Sequence, residues 1–235
     1  MRTICRKRFK FRSLPLSVLQ IIAVLLFLHG SHSVANARMQ DSKDPVVWNV
    51  SFEGNDSYSG IVLGEVIATE EPNLLRKIFR RLNDYALNET ELRRDRIRII
   101  RYYERRGYDQ VQVTVDHTPA GDTWKRNVVF QIREGQPIRI SSSRVRIDAD
   151  SLIAEDLRKE RQFQRTADSH DFQTGNRFQT IRRPDVVGNF SQIMENHGFP
   201  WASVEIEADI DSVAKQAAVE IVLKPGARSY FDEFT

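Results

Sequence analysis

The sequence predicts an α+β chain of two tandem units, each ordered strand, helix, helix, strand, strand. Three observations predict it. The stretches "RRGYDQVQVTVDH" (105–117) and "NHGFPWASVEIEAD" (196–209) both read as a helix end, a glycine, an aromatic residue and an alternating strand. Placed at an offset of 91, Gly107 meets Gly198, Tyr108 meets Phe199, Val113 meets Val204 and Val115 meets Ile206. The apolar parity then continues through Val128, Phe130 and Ile132 onto Val219, Ile221 and Leu223, and Gly135 reaches Gly226 without a gap. A repeat that holds parity over this length marks two copies of one supersecondary unit.

The elements follow in order. "VVWNVSF" (46–52) has the β-branched and aromatic content of a strand, stopped by Gly54-Asn55. "YSGIVLGEVIA" (58–68) reads as a short helix ending before Pro72, and "NLLRKIFRRLNDY" continues as a second helical piece. "NETELRRDRIRIIRYYERR" is the clearest helix. Asn88 is placed to cap it with Glu91 three residues on, and Leu92, Ile99, Ile100 and Tyr103 share one face. Gly107 ends it. In "VQVTV", Val111, Val113 and Val115 alternate with Gln112 and Thr114, giving one apolar and one wet face. Pro119 to Asp122 turns the chain, and Trp124, Val128, Phe130 and Ile132 keep one parity up to "EGQP".

The second unit repeats this. A strand is expected around Ile138 to Ile147 and a helix from near Ser151, then the polar stretch "RQFQRTADSHDFQTGNRFQT". A helix from about Pro184 to Asn196 follows, with Gly188 in its interior, then strands at Ala202 to Ala208 and Ala217 to Leu223. The closing "PGARSYFDEFT" is similar to "EGQPIRI" and is expected to begin a third unit over 227–235. The expected organisation is 1–37 leader, 38–45 linker, 46–136 first unit and 137–226 second unit.

The first 37 residues have the three-part form of a secretory signal peptide: a basic start, an apolar run from Leu14 to Leu28, and Ala35-Asn36-Ala37 as a cleavage pattern before Arg38. The apolar run is shorter than a spanning helix needs. This segment holds six of the 35 Lys and Arg and none of the 32 Asp and Glu, so its removal leaves a net charge of −3. The whole-chain basicity therefore gives no support for nucleic-acid binding. Cys5, the only cysteine, leaves too, which excludes a disulfide, a thiolate metal site and a cysteine nucleophile.

No catalytic constellation emerges. His117, His170 and His197 lack metal-ligand spacing, and there is no nucleophile elbow or phosphate-cradling glycine loop. His197 stands at a helix end where a cation suits the dipole. His170, beside Asp171 in a polar stretch, is expected in solvent, and Glu70-Glu71 is expected as surface charge. No catalytic, cofactor or metal residue is assigned. The basic run from Arg76 to Arg106 has two readings: a solvated helix face with pairs such as Glu89 and Arg93, or a surface for anionic head groups or an acidic partner. Trp48, Trp124 and Trp201 are expected on strands, in core packing or domain contacts.

The order of elements behind a leader, "VSFEGN" at Val50 to Asn55, "DRIRIIRYYERRGYDQVQVTV" and the junction "IREGQPIRISSSRVRI" resemble tandem POTRA domains of the BamA-like and TamA-like outer-membrane assembly family. The resemblance spans Val46 to Thr235. The second unit departs from it, with Asp148-Ala149 at the Gly-Asn position and the polar insertion near His170. The resemblance implies a three-stranded mixed sheet covered on one face by two helices. It also implies a periplasmic location, attachment to the outer membrane through a C-terminal barrel, and no chemical step. The implied partners are unfolded outer-membrane proteins and assembly-complex subunits; the second reading of the basic helix, from its residues, adds a membrane surface. The implied peptide-binding edges are Val111, Gln112, Val113, Thr114 and Val115 in the first unit, and Ala202, Ser203, Val204, Glu205 and Ile206 in the second. The alternatives are a two-partner secretion or cell-division protein with the same domain, or a periplasmic ligand-binding protein.

Overall fold

The computed structural model describes residues 44–79 and 82–229. The expected leader and its cleavage point at Ala37 and Arg38 lie outside the described residues, as does most of the segment expected to open a third unit.

Two three-stranded mixed sheets are present. In the first, β1 (Val46–Glu53), β2 (Gln112–Ala120) and β3 (Asp122–Arg133) take the spatial order β1-β3-β2. β1 runs parallel to β3 and β2 antiparallel. In the second, β4 (Arg139–Ile147), β5 (Ser203–Asp211) and β6 (Gln216–Lys224) take the order β4-β6-β5 with the same directions. A bulge falls after Val47 in β1 and after Ile140 in β4, so the repeat extends to backbone irregularities.

Between β1 and β2 lie α1 (Gly60–Gly64), α2 (Leu74–Ile78) and α3 (Glu89–Glu104). The expected helix over 58–68 shrinks to one turn. Asn88 caps α3 as expected, accepting from the N–H groups of Thr90 and Glu91. Leu92, Ile99 and Tyr103 of α3 join Leu63 of α1 and Val47, Val113, Val128, Phe130 and Ile132 of the sheet in the first core. α2 contributes no buried residue.

Between β4 and β5 lie α4 (Ser151–Lys159), α5 (Arg161–Ser169) and α6 (Arg183–Asn196). The stretch expected to be a polar interruption is a correction to the sequence reading. It forms α5 and a loop that sends Phe163, Phe172 and Phe178 into the second core. His170 is buried rather than solvated: it is 6% exposed, and its Nδ1 accepts from the Phe172 N–H. Among the described residues each unit thus carries three α-helical segments, the insertion supplying the extra one in the second unit. Each core is built from its own unit, the first between Val47 and Ile132 and the second between Ile138 and Leu223. The segment 38–235 accordingly contains every contact of both cores among the described residues.

Candidate interaction edges

A three-stranded sheet has two outer edges, and each exposes unpaired N–H and C=O groups unless something covers it. The two units treat their edges alike. The β1 edge is covered by the chain between the helices. Glu71 Oε2 accepts from the Val50 N–H at 3.0 Å, Val46 bridges Ala86, and the Leu87 N–H donates to Pro45 at 2.7 Å. Glu71 thus serves the strand edge as well as the surface. The β4 edge is covered by the insertion: the Ile140 N–H donates to Asn176, Gly175 to Ile140, and Phe178 to Ile138, at 2.8–2.9 Å. The insertion therefore also caps this edge.

The β2 and β5 edges are different. Among the described residues, β2 pairs with β3 alone and β5 with β6 alone. Among the described residues, no backbone hydrogen bond outside the sheets involves 112–120 or 203–211. Both strands are longer than the candidate stretches, running to Ala120 and Asp211, while Val111 and Ala202 lie just before their ladders. Pro119 belongs to β2, opposite Arg126. Proline is tolerated there because an edge strand does not need its N–H. The inward side chains are apolar: Val113 is buried, and Val115, Val204 and Ile206 pack on the cores. The outward face of β2 carries Gln112, Thr114, Asp116 and Thr118, and that of β5 carries Glu205, Glu207, Asp209 and Asp211. Glu207 also stands directly opposite Glu220, so the β5 edge is the more acidic.

The glycine–aromatic corners explain how the units are joined. Gly107 has φ +93° and Gly198 φ +86°, a region that side-chain-bearing residues rarely occupy. The Gly107 carbonyl accepts from the Ile138 N–H at 2.8 Å, and Gly198 repeats this with Ser229 at 2.8 Å. Tyr108, 5% exposed, pins the corner to the first core. Its hydroxyl also bonds Ser57 Oγ at 2.6 Å and accepts from Arg177 Nη1 at 2.8 Å. The Arg177 guanidinium lies 5.2 Å from the centre of the Tyr108 ring. Lys215 donates to Asp109 at 2.7 Å. Burial alone would raise the Asp109 carboxyl; Lys215 and Ser212 outweigh it and hold the pKa below the ordinary value. The corner read from sequence as a helix end is thus also the seat of the second unit.

Residues 45–135 match the sequence model of the POTRA family, described as surface antigen variable number repeat. The first unit is a POTRA domain. No curated protein sequence matches the chain. Among solved structures, the chain is similar to BamA POTRA3-5 of Haemophilus influenzae at 20% identity, covering 80% of this chain and 69% of that one, with a TM-score of 0.40. POTRA1-2 of Omp85 from Anabaena gives 13% identity, 80% and 100% coverage and a TM-score of 0.37. CdiB from Escherichia coli gives 14%, 83%, 28% and 0.30. The sheet order of the POTRA unit recurs in the second unit, outside the matched residues.

The remaining candidates resolve as supporting parts. The His197 Nδ1–H donates to the Ile193 carbonyl at 2.7 Å and Nε2 faces Glu160 at 3.0 Å, the helix-end role expected of it. Its pKa is raised, first by the Ile193 carbonyl and then by Glu160 against the effect of burial. That of His170 is lowered by burial. His117 pairs with Glu89, so the expected Glu89–Arg93 pair does not form. Arg93 bonds Thr90 instead. Trp48 and Trp124 lie on strands with ring centres 6.1 Å apart, but Trp201 precedes β5 and is 79% exposed. Among the described residues, no cluster of His, Cys, Asp and Glu could hold a metal, and no helix is long and apolar enough to cross a membrane.

Sequence reasoning missed Asp95. It is fully buried on α3, accepts from the Ala68 and Thr69 N–H groups at 2.8 and 2.9 Å, and contacts Arg98. It ties the turn after α1 to the main helix. The available hint was an acidic residue on the same helix face as Leu92 and Ile99.

Proposed function

We propose that this chain is a periplasmic binding module of outer-membrane protein assembly, which receives extended strands of unfolded outer-membrane proteins, or of partner subunits, along β2 and β5. The observation that carries the reading is the asymmetry of the edges. In both units the β1-type edge is covered by the chain's own backbone and side chains, and the β2-type edge is free. Backbone pairing at a free edge supplies affinity with little demand on sequence, which suits clients that share an alternating pattern but not a motif. The inward apolar residues set the strand against the core, and the outward polar face keeps it soluble. The acidic outward face of β5 favours clients with basic residues flanking the strand. No chemical step or cofactor is part of this function.

The test uses segment 38–235, which contains no cysteine. A photoreactive group is placed on a cysteine at Thr114, Glu205 or, as control, Asn49 on β1. The expected result is capture of a labelled outer-membrane strand peptide from Thr114 and Glu205 and not from Asn49. Equal capture at all three sites refutes the edge reading.

A further inference from the structure

The surface that the strand edges do not use is α2, and its orientation is inverted. Leu74, Leu75, Ile78 and Phe79 recur at i and i+4 and share one helical face, with Arg76 and Lys77 on the other. A surface helix of a globular domain turns its apolar face inward. Here it is the basic side chains, partly exposed themselves, that lie against the domain. Arg76 donates to the Tyr85 hydroxyl at 2.7 Å with its guanidinium 5.5 Å from the ring centre, and Lys77 Nζ lies 5.3 Å from the Trp48 ring. The apolar face is left projecting: Leu74 is 73% exposed, Leu75 64%, Ile78 62% and Phe79 69%. Asn73 caps the helix, and Leu82 and Tyr85 are buried further along the chain.

The surroundings indicate what covers it. Trp48 lies between two ammonium groups, Lys77 at 5.3 Å and Lys125 at 4.4 Å, and Trp124 stacks edge-on beside it. Tryptophan and lysine next to projecting aliphatic side chains form the composition that settles at a membrane–water interface, with rings at the head-group level and ammonium groups among phosphates. Two carboxylates temper the charge, Asp84 beside Arg76 and Asp122 beside Lys125. Among the described residues, Lys77 has no carboxylate within ion-pair distance. A folded protein partner would need a groove matched to this ridge, and five residues are too short to set the i and i+7 anchors by which grooves select helices. A lipid surface needs no matching shape.

We propose that the apolar face of α2, flanked by Lys77, Lys125 and the Trp48–Trp124 pair, docks on an anionic lipid surface. Leu74, Leu75, Ile78 and Phe79 sink below the head groups while the lysines meet phosphate, as in other interfacial helices. The docking is independent of the strand-edge reading, because it uses side chains of α2, β1 and the central strand β3 and no residue of β2 or β5.

The experiment is co-sedimentation of segment 38–235 with vesicles of phosphatidylcholine, alone or with a quarter phosphatidylglycerol. Residues 1–37 are omitted because their apolar run would bind vesicles by itself. Wild-type protein is expected to bind the anionic vesicles preferentially. Leu75→Asp with Phe79→Asp, both at exposed positions, weakens binding at least about tenfold with the thermal transition unchanged. Lys77→Gln with Lys125→Gln keeps binding to neutral vesicles and lowers the anionic preference roughly threefold to fivefold per lysine. Four results overturn the proposal: no vesicle binding by wild type; equal binding by the Asp variant; equal wild-type binding to both vesicle types; or an Asp variant that instead loses self-association or capture of an unfolded peptide without any vesicle effect. The peptide capture of the strand edges is measured in parallel at Thr114, so failure of one reading leaves the other intact.

Discussion

Replacing Gly107 by alanine tests whether the glycine corner is a joint between units or only a helix stop. At φ +93° a side chain costs about 1–2 kcal/mol wherever it is placed. Gly135, at φ +72° with the nearest neighbour 3.9 Å from an added Cβ, pays that cost alone. At Gly107 the Cβ would lie 2.5 Å from the Phe178 carbonyl oxygen of the second unit and 3.0 Å from Arg177 Cγ. Relief requires the second unit to withdraw by about 1 Å, which ordinary van der Waals spacing demands. That movement breaks the Ile138–Gly107 hydrogen bond and the Arg177–Tyr108 contact. Their loss adds roughly 2–4 kcal/mol, one bond being neutral and one charge-assisted. Gly107→Ala and Gly135→Ala are compared in segment 38–235 by urea denaturation followed through tryptophan fluorescence. Distances between spin labels on exposed positions of the two units are measured in parallel. The expected outcome is a larger destabilisation for Gly107→Ala, together with a longer or broader inter-unit distance. Equal destabilisation and an unchanged distance would refute the joint.

Further outcomes are expected elsewhere. Gly188→Ala, inside α6 with nothing within 4 Å of the added Cβ, stabilises the chain by about 0.5–1 kcal/mol, read as a higher thermal midpoint. Asp95→Ala leaves the N–H groups of Ala68 and Thr69 without their acceptor and costs about 2–4 kcal/mol in urea denaturation. The two histidines of the second unit give opposite pH dependences. The raised pKa of His197 supplies stability that is complete below its unfolded value near 6.5 and is lost as pH rises through the folded value; His197→Gln removes that loss. The lowered pKa of His170 supplies none while both states are neutral and costs stability as pH falls below about 6.5, where the unfolded state protonates first. His170→Gln flattens the acid side, measured as urea midpoints between pH 5 and 8.

The sequence made β2, β3, β5 and β6 legible because their inward residues alternate, and the two Gly corners mark the repeat; β1 and β4 each break parity at a bulge. The helix caps were equally plain, since Asn88 and Gly107 act through local geometry. The edge coverings were not legible. They depend on a Glu71 carboxylate reaching β1 and on a loop at 175–178 reaching β4, which no local pattern encodes. The insertion was misread as solvent-facing because Phe163, Phe172 and Phe178 follow neither a helical nor a strand period, although all three are buried. Trp201 escapes the strand pattern because it lies in the turn two residues before β5 begins at Ser203, so strand parity does not apply to it. The strands that carry the candidate edges start one residue later than the candidate stretches and run further, because Asp116 to Ala120 and Glu207 to Asp211 lose apolar contrast toward the hairpin ends.

Amide hydrogen exchange of segment 38–235, with and without an excess of an outer-membrane strand peptide, tests the central claim most directly. The free edges predict that peptide slows exchange within 112–120 and 203–211 and leaves β1 and β4 unchanged. Protection confined to β1 or β4, or no change in any strand while the peptide is bound, would contradict the account.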